Sequence, residues 1–113
     1  MKRRVLHVIG NLGLGGAQSV LYHLWPSLTA SPDYEFELCV LNSLGHFGTQ
    51  LVSEGSTVHR LASKRKYAPK AVWELRKLIQ QGTYQIVHAH LFPELPIVSM
   101  ATTGLKKVMT VYT

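Results

Sequence analysis

The chain has 113 residues, 46% of them apolar, a formal charge of +6 and one cysteine, Cys39. That length allows a single domain with a modest core, the apolar share excludes a disordered chain, and a lone cysteine excludes an internal disulfide framework, which favours the cytoplasm. The basic balance calls for an anionic partner, and nucleic acid, an anionic membrane surface and phosphorylated substrates all qualify on charge alone.

In chain order, Val5, Leu6, Val8 and Ile9 read as a fully buried strand. The run is too short for a signal peptide, and no stretch reaches the ~18 apolar residues of a membrane span. A glycine-rich segment follows, and Ala17, Val20, Leu21, Leu24 and Leu28 then recur at helical spacing, with Pro26 expected to kink or end the helix near Trp25. Ser31, Pro32 and Asp33 mark a turn. Residues 35–41 form a second strand in which Cys39 is a buried thiol, not a nucleophile. Residues 45–48, bounded by Gly45 and Gly48, read as a loop; 49–54 form a short helix and 57–61 a third strand.

After a basic loop, Ala71, Val72, Leu75, Leu78 and Ile79 share one face of an amphipathic helix that Gly82 stops. Residues 84–90 form the fourth strand, Pro93 and Pro96 open a helix reaching about Thr103, and 107–113 form the fifth strand. Regular alternation of strand and helix predicts one α/β domain over residues 1–113. Its form is a Rossmann-like three-layer sandwich around a parallel five-stranded sheet ordered 3-2-1-4-5. Such a fifth strand normally leads into a covering helix, so the chain reads as truncated, with bare sheet surface that predicts a homodimer.

Every segment that follows a strand of a parallel sheet lies on one edge, the favoured binding edge of open α/β folds. Gly10, Gly13, Gly15 and Gly16 fall between the first strand and first helix, where glycine lets main chain approach a phosphate at a helix N-terminus. A tight turn without a ligand explains the same glycines. The dinucleotide fingerprint fails, because Gly13 and Gly15 put Gln18 in the third position and the second strand closes on Asn42 without a carboxylate. A Walker loop fails too, since Gly16 and Ala17 stand where Lys and Ser or Thr belong.

His88 and His90 share a strand face, but no third ligand accompanies them, so a metal site is not expected. A structural role suits His88, and contact with a hydroxyl or phosphate suits His90 at the strand exit. Lys64 and Arg65 belong to a solvated loop on the same edge, facing an anionic acceptor or a membrane surface. No nucleic-acid module is visible, so nucleic acid is not an expected partner.

Residues 5–18, with Gly15, Gly16, Ala17 and Gln18 closing the segment, resemble the opening of family-4 glycosyltransferases of the GT-B fold. The strand carrying His88 and His90 is similar to that family's histidine-x-histidine strand, and residues 108–113 resemble its fifth-strand motif, with Tyr112 in place of the usual histidine. The resemblance implies a retaining enzyme that moves a sugar from a nucleotide-diphosphate sugar to a glycan or lipid-linked acceptor, with no cofactor or metal. Two Rossmann-like domains would face each other, this chain being the N-terminal, acceptor-side half and the donor-binding C-terminal half lying outside it. Gly15, Gly16 and Gln18 would then line the donor diphosphate, and His90, Tyr112, Lys64 and Arg65 the acceptor side, in a cytoplasmic protein peripheral to the membrane's inner face. A non-catalytic nucleotide- or anion-binding module of the same fold is the alternative.

Overall fold

Apolar runs become strands and the helical-period segments between them become helices. The order is β1 (Arg3–Asn11), α1 (Gly16–Thr29), β2 (Tyr34–Ser43), α2 (Gly45–Ser53), β3 (Val58–Arg60), α3 (Ala68–Gly82), β4 (Ile86–Ala89), α4 (Leu95–Thr102) and β5 (Met109–Tyr112). The computed structural model describes residues 3–11, 16–61, 68–89, 95–105 and 108–112. All neighbouring strands pair in parallel, in a five-stranded sheet ordered β3-β2-β1-β4-β5, which is the expected Rossmann-like α/β arrangement. The chain steps outward from β1 to β3 and then returns to β4, which puts the reversal of strand order at the β1–β4 junction.

Period-two alternation sends neighbouring strand residues into two separate cores. Leu6, Val8, Val87 and Ala89 pack under Leu75, Ile79, Val98 and Ala101 of α3 and α4. On the opposite face Ile9, Leu38 and Val40 meet Leu21, Trp25, Phe47 and Leu51 of α1 and α2. Cys39 lies in the first core, where burial pushes its thiol to a pKa of about 12, so it stays protonated and unreactive. Over β5, Met109 and Val111 remain exposed.

Two local expectations change. Residues 45–48 are not a loop: α2 begins at Gly45. Phe47 and Leu51, one turn apart, are both buried, and the Phe47 ring stacks on Tyr22 with centroids 4.7 Å apart. Gly45 opens the helix at φ 65°, a conformation that glycine adopts without a Cβ clash. Pro26 does not end α1, which runs on to Thr29; the Thr29 hydroxyl donates to the Trp25 carbonyl at 3.0 Å. The Trp25 indole, 2% exposed, anchors that turn to the core and donates to Ser56 Oγ at 3.2 Å.

Under α3 the sheet buries one carboxylate. Glu37 of β2 accepts a hydrogen bond from the Tyr84 hydroxyl at 2.5 Å, lies 2.7 Å from His59 Nε2 of β3, and pairs with the Arg4 guanidinium of β1. Arg4 also donates to the Gly82 carbonyl and stacks 4.6 Å from the Tyr84 ring centroid. One acid thus ties three strands to the end of α3. Burial raises the carboxyl's pKa, but hydrogen bonds from Tyr84, His59 and Arg4 outweigh burial and hold it below the usual carboxylate range.

A depressed folded-state pKa contributes stability that is fully present above the ordinary carboxylate pKa and is lost as pH falls through the folded value. Urea unfolding from pH 7 downward should therefore show stability declining below the ordinary carboxylate range. Glu37→Gln should lose about 1–3 kcal/mol at pH 7 and flatten that part of the profile. An unchanged acid limb would mean that Glu37 is not the controlling group. Gly82 has a steric role: a Cβ there would overlap the Tyr84 ring, which Glu37 and Arg4 hold in place. Gly82→Ala should cost about 1–3 kcal/mol by overpacking, measured as a lower urea midpoint at unchanged slope.

Candidate functional site

Val8 pairs with Ala89 and Ala89 with Tyr112, so these three residues form one row across β1, β4 and β5. β1 and β2 continue past that row to the pair Asn11 and Ser43, roughly 10 Å further at the rise of a strand. The register shifts between Ile9 and Asn11, an irregularity of the kind that re-aims a strand's exit.

Parallel topology starts each helix at the carboxyl edge of the sheet, so the positive ends of the α1 to α4 dipoles are gathered there. None of these helices has an acidic residue in its first turn. The acids lie elsewhere. Of the chain's six, Asp33, Glu35 and Glu37 occupy the entry to β2, Glu54 follows the C-terminus of α2, and Glu94, outside the described residues, immediately precedes α4 in sequence. Glu74 is midway along α3. Three of the acids thus cluster at the entry to β2, away from the helix N-termini.

Gly16 opens α1 and is exposed, and Gln18 is half-buried in its first turn. A Cβ on Gly16 would meet nothing within 4 Å among the described residues. Nor is Gly16 left-handed; Gly45, Gly55 and Gly104 are the described glycines with positive φ. Among the described residues, therefore, neither crowding nor a positive φ demands glycine at 16. Tyr112 ends β5 level with Ala89. Gly15, Lys64, Arg65 and His90 lie outside the described residues, so the expected convergence of the site reduces here to Gly16, Gln18 and the backbone position of Tyr112.

His88 belongs to a different place, the α1 face of the sheet. It stands opposite His7 in register, with ring centroids 5.1 Å apart, and burial lowers its pKa, leaving it neutral at pH 7. With Leu21, Leu24, Phe36 and Ile86 the two imidazoles line an apolar groove of about 390 Å³. His7 also meets the Trp25 ring edge-on at 5.5 Å. Among the described residues no three His, Cys, Asp or Glu side chains come together as a metal would require.

Sequence reasoning did not find the Glu37, His59, Arg4 and Tyr84 cluster or the facing of His7 and His88. Both arise from strand register, which local pattern does not encode. One signal was available: Glu37 lies two residues before Cys39, on the strand face read as buried, and a charge there needs a partner.

No family model matches the chain, and no curated protein is a significant match to it.

Because nothing among the described residues crowds Gly16, Gly16→Ala should leave the urea unfolding free energy within about 1 kcal/mol of the parent, the size of the helix-propensity difference. A larger loss would show that the fold itself requires glycine there.

Proposed function

We propose that this chain is the N-terminal, acceptor-side Rossmann-like domain of a retaining glycosyltransferase of the GT-B fold. In its complete form the enzyme would transfer a sugar from a nucleotide-diphosphate sugar to a glycan or lipid-linked acceptor. The observation that carries the reading is Gly16: it opens a helix at the carboxyl edge beside the strand-order reversal, with nothing among the described residues crowding it. Glycine has a use where a ligand must approach main chain closely. The resemblance of residues 5–18, 86–91 and 108–113 to the family's motifs supplies the ligand's identity.

In this reading the chemistry of the domain is electrostatic. As the bond from sugar to diphosphate breaks, negative charge builds on the departing phosphate oxygens. Main-chain N–H groups at the start of α1, aided by its dipole, are already oriented toward that charge and reorganise little. Gln18, the third residue of α1, adds a side-chain amide donor. His90, Lys64, Arg65 and Tyr112 hold and orient the acceptor, and positioning lowers the entropic part of the barrier. Tyr112 brings a phenol where the family has an imidazole, so it donates a hydrogen bond at neutral pH but does not take up a proton. The nucleotide and sugar are held by the second domain. Among the described residues no helix is long and apolar enough to cross a membrane, and a cytoplasmic location is part of the proposal.

The reading separates from an anion-binding module by assay. This chain alone should show no sugar transfer and only millimolar affinity for a nucleotide-diphosphate sugar by calorimetry, about −4 kcal/mol. Sub-micromolar binding would instead place the donor site in this domain. In a protein joining this domain to its donor-binding partner, Gly16→Val should abolish transfer while the melting curve is retained. Gln18→Ala should lose about 0.5–1.5 kcal/mol of transition-state stabilisation. Parental turnover by a folded Gly16→Val protein would reduce the segment to a turn.

A further inference from the structure

We propose that β5 is a self-pairing edge, through which two copies of this chain join, antiparallel and two-fold, into one continuous sheet. The sheet has two edge strands, β3 and β5, and no described strand lies beyond either. They differ in how they are protected. β3 is three residues long and ends on the exposed charge of Arg60, and a short, charged edge resists pairing. β5 carries no charge, proline or glycine, and Thr110, Val111 and Tyr112 are of the types that favour strands. Register puts Met109 and Val111 beside Ile86 and His88 of β4, on the face of the sheet that carries α1. That part of the face is bare: Met109 is 64% exposed and Val111 37%.

Backbone direction selects a second copy as the occupant and fixes its register. The Met109 N–H donates inward, to the Gln85 carbonyl at 2.8 Å. Successive residues of a strand address opposite sides, so the N–H and C=O of Thr110 point to the open edge. An antiparallel copy bonded there sets Thr110 against the partner's Thr110, and the two exchange both hydrogen bonds across a two-fold axis. Met109 then stands opposite the partner's Val111, and Val111 opposite the partner's Met109, in the closer positions of the pair. The exposed side chains are therefore self-complementary, and the four of them cover one another. Because β3 is blunted, each copy offers one such edge, and association closes at two instead of growing into a fibre. The contact is shorter than a stable interface requires, so the dimer is a transient one. The homodimer expected from bare sheet surface thereby acquires an axis and a register, and its test measures no sugar transfer.

Sedimentation equilibrium should show a dimer half-formed at about 0.1 mM, the class of affinity that a contact this small supports. Thr110→Pro removes the outward N–H and no bond within the fold, so it should abolish the dimer at an unchanged melting temperature in dilute solution. Val111→Lys, at an exposed position, should weaken the dimer more than tenfold, whereas Leu24→Lys, exposed on α1, should leave it intact. Cross-linking reads the register. A mixture of Met109→Cys and Val111→Cys chains should form a disulfide-linked dimer on oxidation, because opposite residues have Cα atoms about 4.5 Å apart. Either variant alone should cross-link at least tenfold more slowly, since like residues then lie diagonally, about 7–8 Å apart. Cys39, buried and protonated, does not compete. A monomer at about 1 mM would leave the edge to some other strand and overturn the proposal. So would a dimer that survives Thr110→Pro, one that Leu24→Lys dissolves, or equal cross-linking of the single variants.

Discussion

A parallel strand can follow another only if the chain is carried back to the edge from which the first one started. That constraint organises this molecule. It puts every strand-to-helix junction on one edge and every helix-to-strand junction on the other, so the four helix dipoles add instead of cancelling. It also buries both faces of the sheet, which is why Leu6 and Val8 serve one core and Ile9 the other.

The distribution of charge complements that geometry. Asp33, Glu35 and Glu37 stand where β2 begins, away from the helix N-termini. Glu37 is the costly one. A carboxylate inside a sheet persists only when its lone pairs are satisfied, and here Tyr84, His59 and Arg4 converge on it from separate segments. The cluster does structural work at the entry edge, joining β1, β2 and β3 to the turn after α3. Interactions that hold the fold and groups available to a ligand thus occupy opposite ends of the strands.

The elements differ in how legible they were. α3 was plain from Ala71, Leu75 and Ile79, because a helix lying on a sheet needs one continuous apolar stripe and little else. α2 was legible only in part. Gly45 and Gly48 resemble loop punctuation, and only the burial of Phe47 against Tyr22 shows that the segment is helical from Gly45 onward. Pro26 misleads for a related reason: proline opposes a helix locally, yet Trp25 is held in the core strongly enough to carry α1 past it. At the candidate site, the glycine-rich segment and the edge it occupies were visible in the order of residues. The idle space around Gly16 was not.

By itself the sequence determined that this chain alternates strand and helix, that the sheet is parallel and ordered 3-2-1-4-5, and that a glycine-rich segment lies between the first strand and the first helix. Apolar periodicity and chain connectivity are local or topological properties, and one-dimensional order carries both. Tertiary structure alone decided that Glu37 has three partners, that His7 faces His88, and that Gly82 must leave room for the Tyr84 ring. Each depends on register or on the rotation of a helix against the sheet, and these are set by how two packed faces fit.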